Sequence, residues 1–174
     1  MPVNGRQKGS KAEREIAVLL AGWWSKVEPD AIWKRTPLSG GWADAGTRAG
    51  FNASGDLMTT AQHFPFCVEV KKREAWSVDA FVKSPKKSPV MAWWDQAIVQ
   101  AKEMSKLPLL IFSKNRQPWR VLLHEFDHIE AIFGLTPITR FSRIVNKKRA
   151  SVVCYELSIL LDVNPRLFVG AHPR

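Results

Sequence analysis

Little in this 174-residue chain invites covalent cross-linking or membrane insertion. There are two cysteines, Cys67 and Cys154, far apart in apolar surroundings and without a CxxC pair. Neither a disulfide framework nor a zinc knot fits that count, and two reduced core thiols suit an intracellular setting. No apolar run is long enough to span a bilayer. The first 15 residues, MPVNGRQKGSKAERE, lack the apolar core of a secretory signal. Acid is scarce too: 16 Asp and Glu stand against 26 Lys and Arg, a net charge of +10. Such a balance favours a polyanionic partner, nucleic acid before an anionic membrane surface. Apolar residues make up 45% of the chain, enough to bury a core and too many for a disordered tail.

Periodicity supplies the elements. SKAEREIAVLLAGWWSKV is the clearest helix, with Ala12, Ile16, Leu19, Leu20, Trp23 and Val27 recurring at helical spacing. At about 100° per residue, Glu13 falls at the border of this stripe with Trp24 just beyond it. Ser10 and Glu13 also fit a capping box, in which Glu13 does no more than cap the helix. AIWKRTPL reads as a short strand and turn, and residues 39–55 as a Gly-rich loop. Strands are expected at Asp56 to Thr59 and Phe66 to Lys71, paired as a hairpin. VKSPKKSP, residues 82 to 89, reads as a basic loop, and VMAWWDQAIVQAKEMSK as a second amphipathic helix. LPLLIFSK, PWRVLLHE and ASVVCYEL follow as strands, with a short helix at the C-terminus. The order predicts an α/β fold, a mixed central sheet flanked by helices. No internal repeat or second domain is evident: residues 1–174 read as a single domain, with extended loops at about 40–54 and 74–90 and a C-terminal extension from about 126.

SGDLMTTAQHFPFCVEVKKRE carries the chemistry. Side chains alternate along a strand, so Phe66, Val68 and Val70 share one face and Cys67, Glu69 and Lys71 the other. A hairpin that returns Asp56 beside Glu69 makes a site for a hard cation such as Mg²⁺, with Lys71 placed to orient or deprotonate an attacking water. The plainer alternative is an edge strand with one solvated Glu–Lys pair.

KGSKAERE, followed by RTPLSGG, GD and VEVKK, resembles the PD-(D/E)XK nuclease superfamily, and within it the archaeal-type Holliday junction resolvases that phages also encode. The resemblance covers roughly residues 8 to 125 and implies a restriction-endonuclease-like core. It implies Glu13, Asp56 and Glu69 as metal-binding acids and Lys71 as the catalytic lysine. It implies Arg14, Arg35 and Ser39 as phosphate-contacting positions and Gln96 as a polar helix position, and the excess of positive charge adds Lys8, Lys72 and Arg73 to the expected DNA-binding face. Mg²⁺, with Mn²⁺ as a substitute, is the implied cofactor. The implied substrate is a four-way DNA junction cut by a homodimer in a prokaryotic or phage-infected cell. The segment between Ser39 and Asp56 is longer than the short turn of the archaeal enzymes. The alternatives are another repair or restriction nuclease of the superfamily, or a basic DNA-binding module without catalysis.

Two other signals compete. HEFDH, His124 to His128, matches the zinc-protease H-E-x-x-H, which needs a helix to bring both histidines to one face. Here it straddles a strand end. Of eight tryptophans, Trp23, Trp93 and Trp94 are expected in the core, while Trp42 and Trp76 could stack on unpaired bases or cover an apolar patch.

Overall fold

The computed structural model describes residues 5–37, 52–126, 129–145 and 148–171, leaving aside the side chains of 5–8, 52–54, 143–145 and 148–149. Helix α1 runs Gly5–Trp24. It begins five residues before Ser10, so Ser10 lies inside the helix and no capping box forms. The buried stripe is rotated from the expected one. Ala12, Ile16, Ala17, Leu20, Trp23 and Trp24 are buried, whereas Leu19 is 36% exposed. The tryptophans decide this rotation because both indole N–H groups find acceptors, as buried indoles usually do. Trp23 Nε1 donates to the Val163 carbonyl at 2.8 Å and Trp24 Nε1 to Glu28 Oε2 at 2.8 Å. Glu13 therefore falls within the buried stripe, not at its border.

Strands β1 (Trp33–Arg35), β2 (Asn52–Ser54) and β3 (Leu57–Thr59) form a small antiparallel sheet in the order β1-β3-β2. Strands β4 (Phe66–Lys72), β5 (Leu107–Ser113), β6 (Arg120–His124), β7 (Thr139–Val145) and β8 (Lys148–Glu156) form a second sheet in the order β4-β5-β6-β8-β7. Its β4–β5 pair is parallel and the other pairs are antiparallel. The expected mixed sheet flanked by helices is there, but the expected β3–β4 hairpin is not. Strand β3 is saturated by β1 and β2, and among the described residues a parallel bridge, Gly55 to Val68, links the two sheets.

Alternation along β4 is as expected. Phe66, Val68 and Val70 pack with α1, the helix Leu157–Asp162 near the C-terminus and Phe168. The opposite sheet face is covered by α2 (Val78–Lys83) and α3 (Pro89–Glu103) through Phe81, Trp94, Leu110 and Phe112. The expected basic loop at 82–89 is thus largely helical. Ser77 caps α2, a 3-10 turn spans Pro85–Lys87, and Ser88 caps α3 with Pro89 in its first turn, where proline's fixed φ favours the helix. Trp76 is buried against Phe112 at 5.0 Å, which makes it a core residue and not a base-stacking one. Strand β8, from the expected C-terminal extension, lies between β6 and β7 inside the sheet. Both cysteines are free and buried.

Trp24→Ala should cost about 3–5 kcal/mol, while Leu19→Ala should stay within about 0.5 kcal/mol. Urea unfolding of the two variants measures the difference, and equal losses would contradict the observed rotation of α1.

Candidate active site

Strands β2 and β3 are joined by two residues, Gly55 and Asp56, with Ser54 opposite Leu57. Two-residue hairpin turns need a positive φ that only glycine adopts without strain, and Gly55 has φ +76°. Space imposes the same choice. A Cβ on Gly55 would sit 2.3 Å from the Val68 carbonyl oxygen. The glycine before the aspartate is there because the turn is pressed against β4.

That contact places Asp56. Its backbone N–H donates to the Val68 carbonyl at 2.8 Å, and its Oδ2 accepts the Val70 N–H at 2.8 Å. Thr36, after β1, holds the turn from behind. Its N–H donates to the Asp56 carbonyl and its hydroxyl to the Gly55 carbonyl, both at 2.8 Å. Sequence reasoning missed Thr36, and its place in RTPL beside Arg35 was the only available signal.

Glu69 lies on the β4 face turned toward α3 and is fully buried. Its Oε1 accepts from Lys71 Nζ, while its Oε2 is buried without a hydrogen-bond partner. Burial, and next the Glu69 carboxylate, push the Asp56 pKa up to about 7. The Val70 N–H and Lys71 oppose that rise, and Glu13 adds to it. Two carboxylates are thus held together with too little positive charge between them. Such an arrangement costs energy unless a cation completes it. The orphaned Oε2 and the acid character of the pair fit a hard divalent ion.

Glu13 comes from the α1 layer and is engaged elsewhere, its Oε2 accepting from Arg35 Nε at 2.9 Å. Among the described residues, no three His, Cys, Asp or Glu side chains gather closely enough to hold a metal by themselves. The structure therefore brings Asp56, Glu69 and Lys71 together, with Glu13 near enough to act on Asp56 through its charge.

The basic positions divide. Arg35 is neutralised by Glu13. Lys72 points to the opposite face of β4 from Lys71, 3.8 Å from Glu15 and over the Trp119 ring; Trp119 Nε1 in turn donates to Glu15 Oε1 at 2.7 Å. Arg14, Arg73 and Gln96 are exposed. Ser39, Trp42 and the side chain of Lys8 lie outside the described residues. His124 ends β6 and packs edge-on to Trp94 at 5.3 Å, and burial holds its imidazole below the usual range. Glu125 pairs with Arg140. A strand-end histidine and a committed glutamate do not make the helical zinc-protease arrangement.

A family model described as "Phage putative PDDEXK endonuclease" matches residues 4–168. The chain belongs to this phage PDDEXK endonuclease family. It is a nuclease by that membership, and PD-(D/E)XK nucleases act on DNA and generally use divalent metals. It is also similar to Protein D14 of Escherichia phage T5, 26% identical over 156 residues that cover 88% of this chain and 89% of the relative. Among solved structures it is similar to Hjc, a Holliday junction resolvase from Archaeoglobus fulgidus. That match is 15% identical, covers 92% of this chain and 95% of the other, and has a TM-score of 0.36. A superposition this loose carries nothing about substrate. No helix among the described residues is long and apolar enough to cross a membrane.

Gly55→Ala should destabilise the protein by more than about 1 kcal/mol. Gly22→Ala, where nothing lies within 4 Å of the added Cβ, should stabilise α1 by roughly 0.5–1 kcal/mol. Thermal melts of the pair test the turn, and a neutral Gly55→Ala would contradict its docking on β4.

Proposed function

We propose that this phage-family nuclease is a metal-dependent DNA endonuclease that cuts branched DNA, four-way junctions above all, as a homodimer. The observation that carries the chemistry is Glu69, fully buried on β4 with one oxygen bound to Lys71 and the other facing no partner. Asp56 and Glu69 are the residues that would hold Mg²⁺, or Mn²⁺ in its place, with Glu13 contributing negative charge from α1. When bound, such an ion supplies Lewis acidity and a more acidic water. The chain's own residues set the geometry. Asp56 is fixed by two backbone hydrogen bonds to β4, so its free oxygen has little latitude. Lys71 is oriented by Glu69, and in this reading its ammonium would hold the attacking water beside the phosphate.

The preference for junctions draws on the ordered set KGSKAERE, GD and VEVKK, which resembles the archaeal-type resolvases. A four-way junction offers two equivalent strands, and a two-fold dimer matches that symmetry.

Asp56→Asn and Glu69→Gln should each lower cleavage of a four-way junction by at least about 100-fold, the scale of losing a positioned catalytic group, while DNA binding persists. EDTA should do the same to the native protein. Equal cutting of linear duplex and junction would favour a repair or restriction nuclease. Binding without cutting, in native protein supplied with Mg²⁺ or Mn²⁺, would leave a DNA-binding module and overturn the catalytic reading.

A further inference from the structure

Two basic stretches of the chain, each free of acid, are brought together by the fold. Residues 80–94 hold Lys83, Lys86 and Lys87; residues 131–155 hold Arg140, Arg143, Lys147, Lys148 and Arg149. These eight basic residues nearly equal the whole-chain excess of +10. Although some 50 residues apart in sequence, the two stretches meet in the fold. A cavity of about 350 Å³ lies between the 3-10 turn and β7. Pro85 and Phe141 are among its apolar lining residues, Ser84 and Thr139 bring hydroxyls, and Lys86, Lys87 and Arg140 bring positive charge. Arg140 is held there by Glu125 and Glu130 at 2.7 and 2.5 Å, so its charge is answered and Lys86 and Lys87 carry the positive charge of the groove. No carboxylate among the described residues pairs with Lys86 or Lys87.

This surface lies at the far edge of the sheet from Asp56 and Glu69. With β4 at one edge and β7 at the other, four inter-strand steps of about 4.8 Å separate them, roughly 19 Å. At about 3.4 Å per phosphate along one strand, that spans some six nucleotides. Closer to the carboxylates, Arg35 and Lys72 are paired with Glu13 and Glu15, so their charge is already answered.

We propose that the groove between the 3-10 turn and β7 is a second contact surface for the phosphate backbone of DNA, remote from the cutting centre. It holds the duplex about six nucleotides beyond the site of cleavage. The proposal rests on the nuclease reading for the identity of its partner. Lysine and arginine displace condensed counterions from DNA, so each contact adds about 0.9 to the slope of log affinity against log salt. The hydroxyls and the ammonium groups of Lys86 and Lys87 suit phosphate oxygens, which accept hydrogen bonds from such groups without regard to sequence.

The test measures binding of duplexes of increasing length to Asp56→Asn protein by fluorescence anisotropy across salt concentrations. Adding Lys86→Gln and Lys87→Gln should flatten the salt slope by about 1.8 for two contacts. It should also abolish the gain in affinity from extending the duplex. The control pair Lys26→Gln and Lys102→Gln removes the same charge from other exposed positions and should change neither. If the two pairs behave alike, the groove does not contact DNA, while cleavage by the native protein still upholds the nuclease reading. Native protein that binds and cuts no DNA would overturn both. Loss of binding to phosphatidylserine vesicles, with an unchanged DNA slope, would assign the groove to membranes and overturn the proposal.

Discussion

Everything at this site depends on one backbone contact, the docking of the Gly55–Asp56 turn against β4. It is the bridge between the two sheets, and it fixes Asp56 from both sides of its carboxylate-bearing carbon: the N–H to Val68 and a carboxylate oxygen to the Val70 N–H. A side chain on a loop would have to lose rotamer freedom to reach Glu69. Here the hairpin has already fixed it, which is the kind of pre-organisation that metal and catalytic sites need. The constraint falls on the glycine, since any Cβ at position 55 would meet the Val68 carbonyl.

The second consequence is electrostatic. Placing Asp56 beside a fully buried Glu69 leaves Lys71 as the nearest compensating charge, shared between two carboxylates. The protein tolerates this at the edge of an otherwise apolar sheet, where Cys67, Leu110 and Phe112 exclude water. Such strained charge is characteristic of functional sites, and the proposed metal-dependent cleavage would give it a role. The remaining cations are distributed with some economy. Arg35 and Lys72 are paired with Glu13 and Glu15, while Lys86 and Lys87 lie by β7, at the opposite edge of the sheet.

Much of this was legible in the sequence, for identifiable reasons. Alternation in FCVEVKK separated Glu69 and Lys71 from Val68 and Val70 because a strand's period is two and the apolar face was complete. The pairing of Asp56 with β4 was anticipated, but through the wrong hydrogen bonds. A three-residue strand such as β2 has too few side chains to show a period, so its Gly-Asp turn looked like the end of a loop. The rotation of α1 was hidden because Leu19 and Trp24 are both apolar, and only the indole's partner, Glu28, decides between them. Strand β7, TRFSRIV, places Arg140 and Arg143 three residues apart along a sheet edge, where charge guards against aggregation and obscures the strand pattern. Thr36 acts through backbone atoms of Gly55 and Asp56, which leave no trace in residue spacing.

The central claim is that Asp56 and Glu69 form an under-compensated pair that a divalent cation completes. Thermal stability against pH, in EDTA and in Mg²⁺, tests it most directly. The folded-state pKa of Asp56 is raised from 3.8 to about 7, so the fold favours the protonated acid. That contribution is fully present below about pH 4 and is lost as pH rises through 7. In EDTA the melting temperature of the native protein should therefore fall, relative to Asp56→Asn, between pH 4 and 7. Mg²⁺ should restore it at pH 7 and above by binding the ionised pair, and should do nothing for Asp56→Asn. Native and Asp56→Asn melting curves that run parallel across that range, with no response to Mg²⁺ or Mn²⁺, would contradict the account.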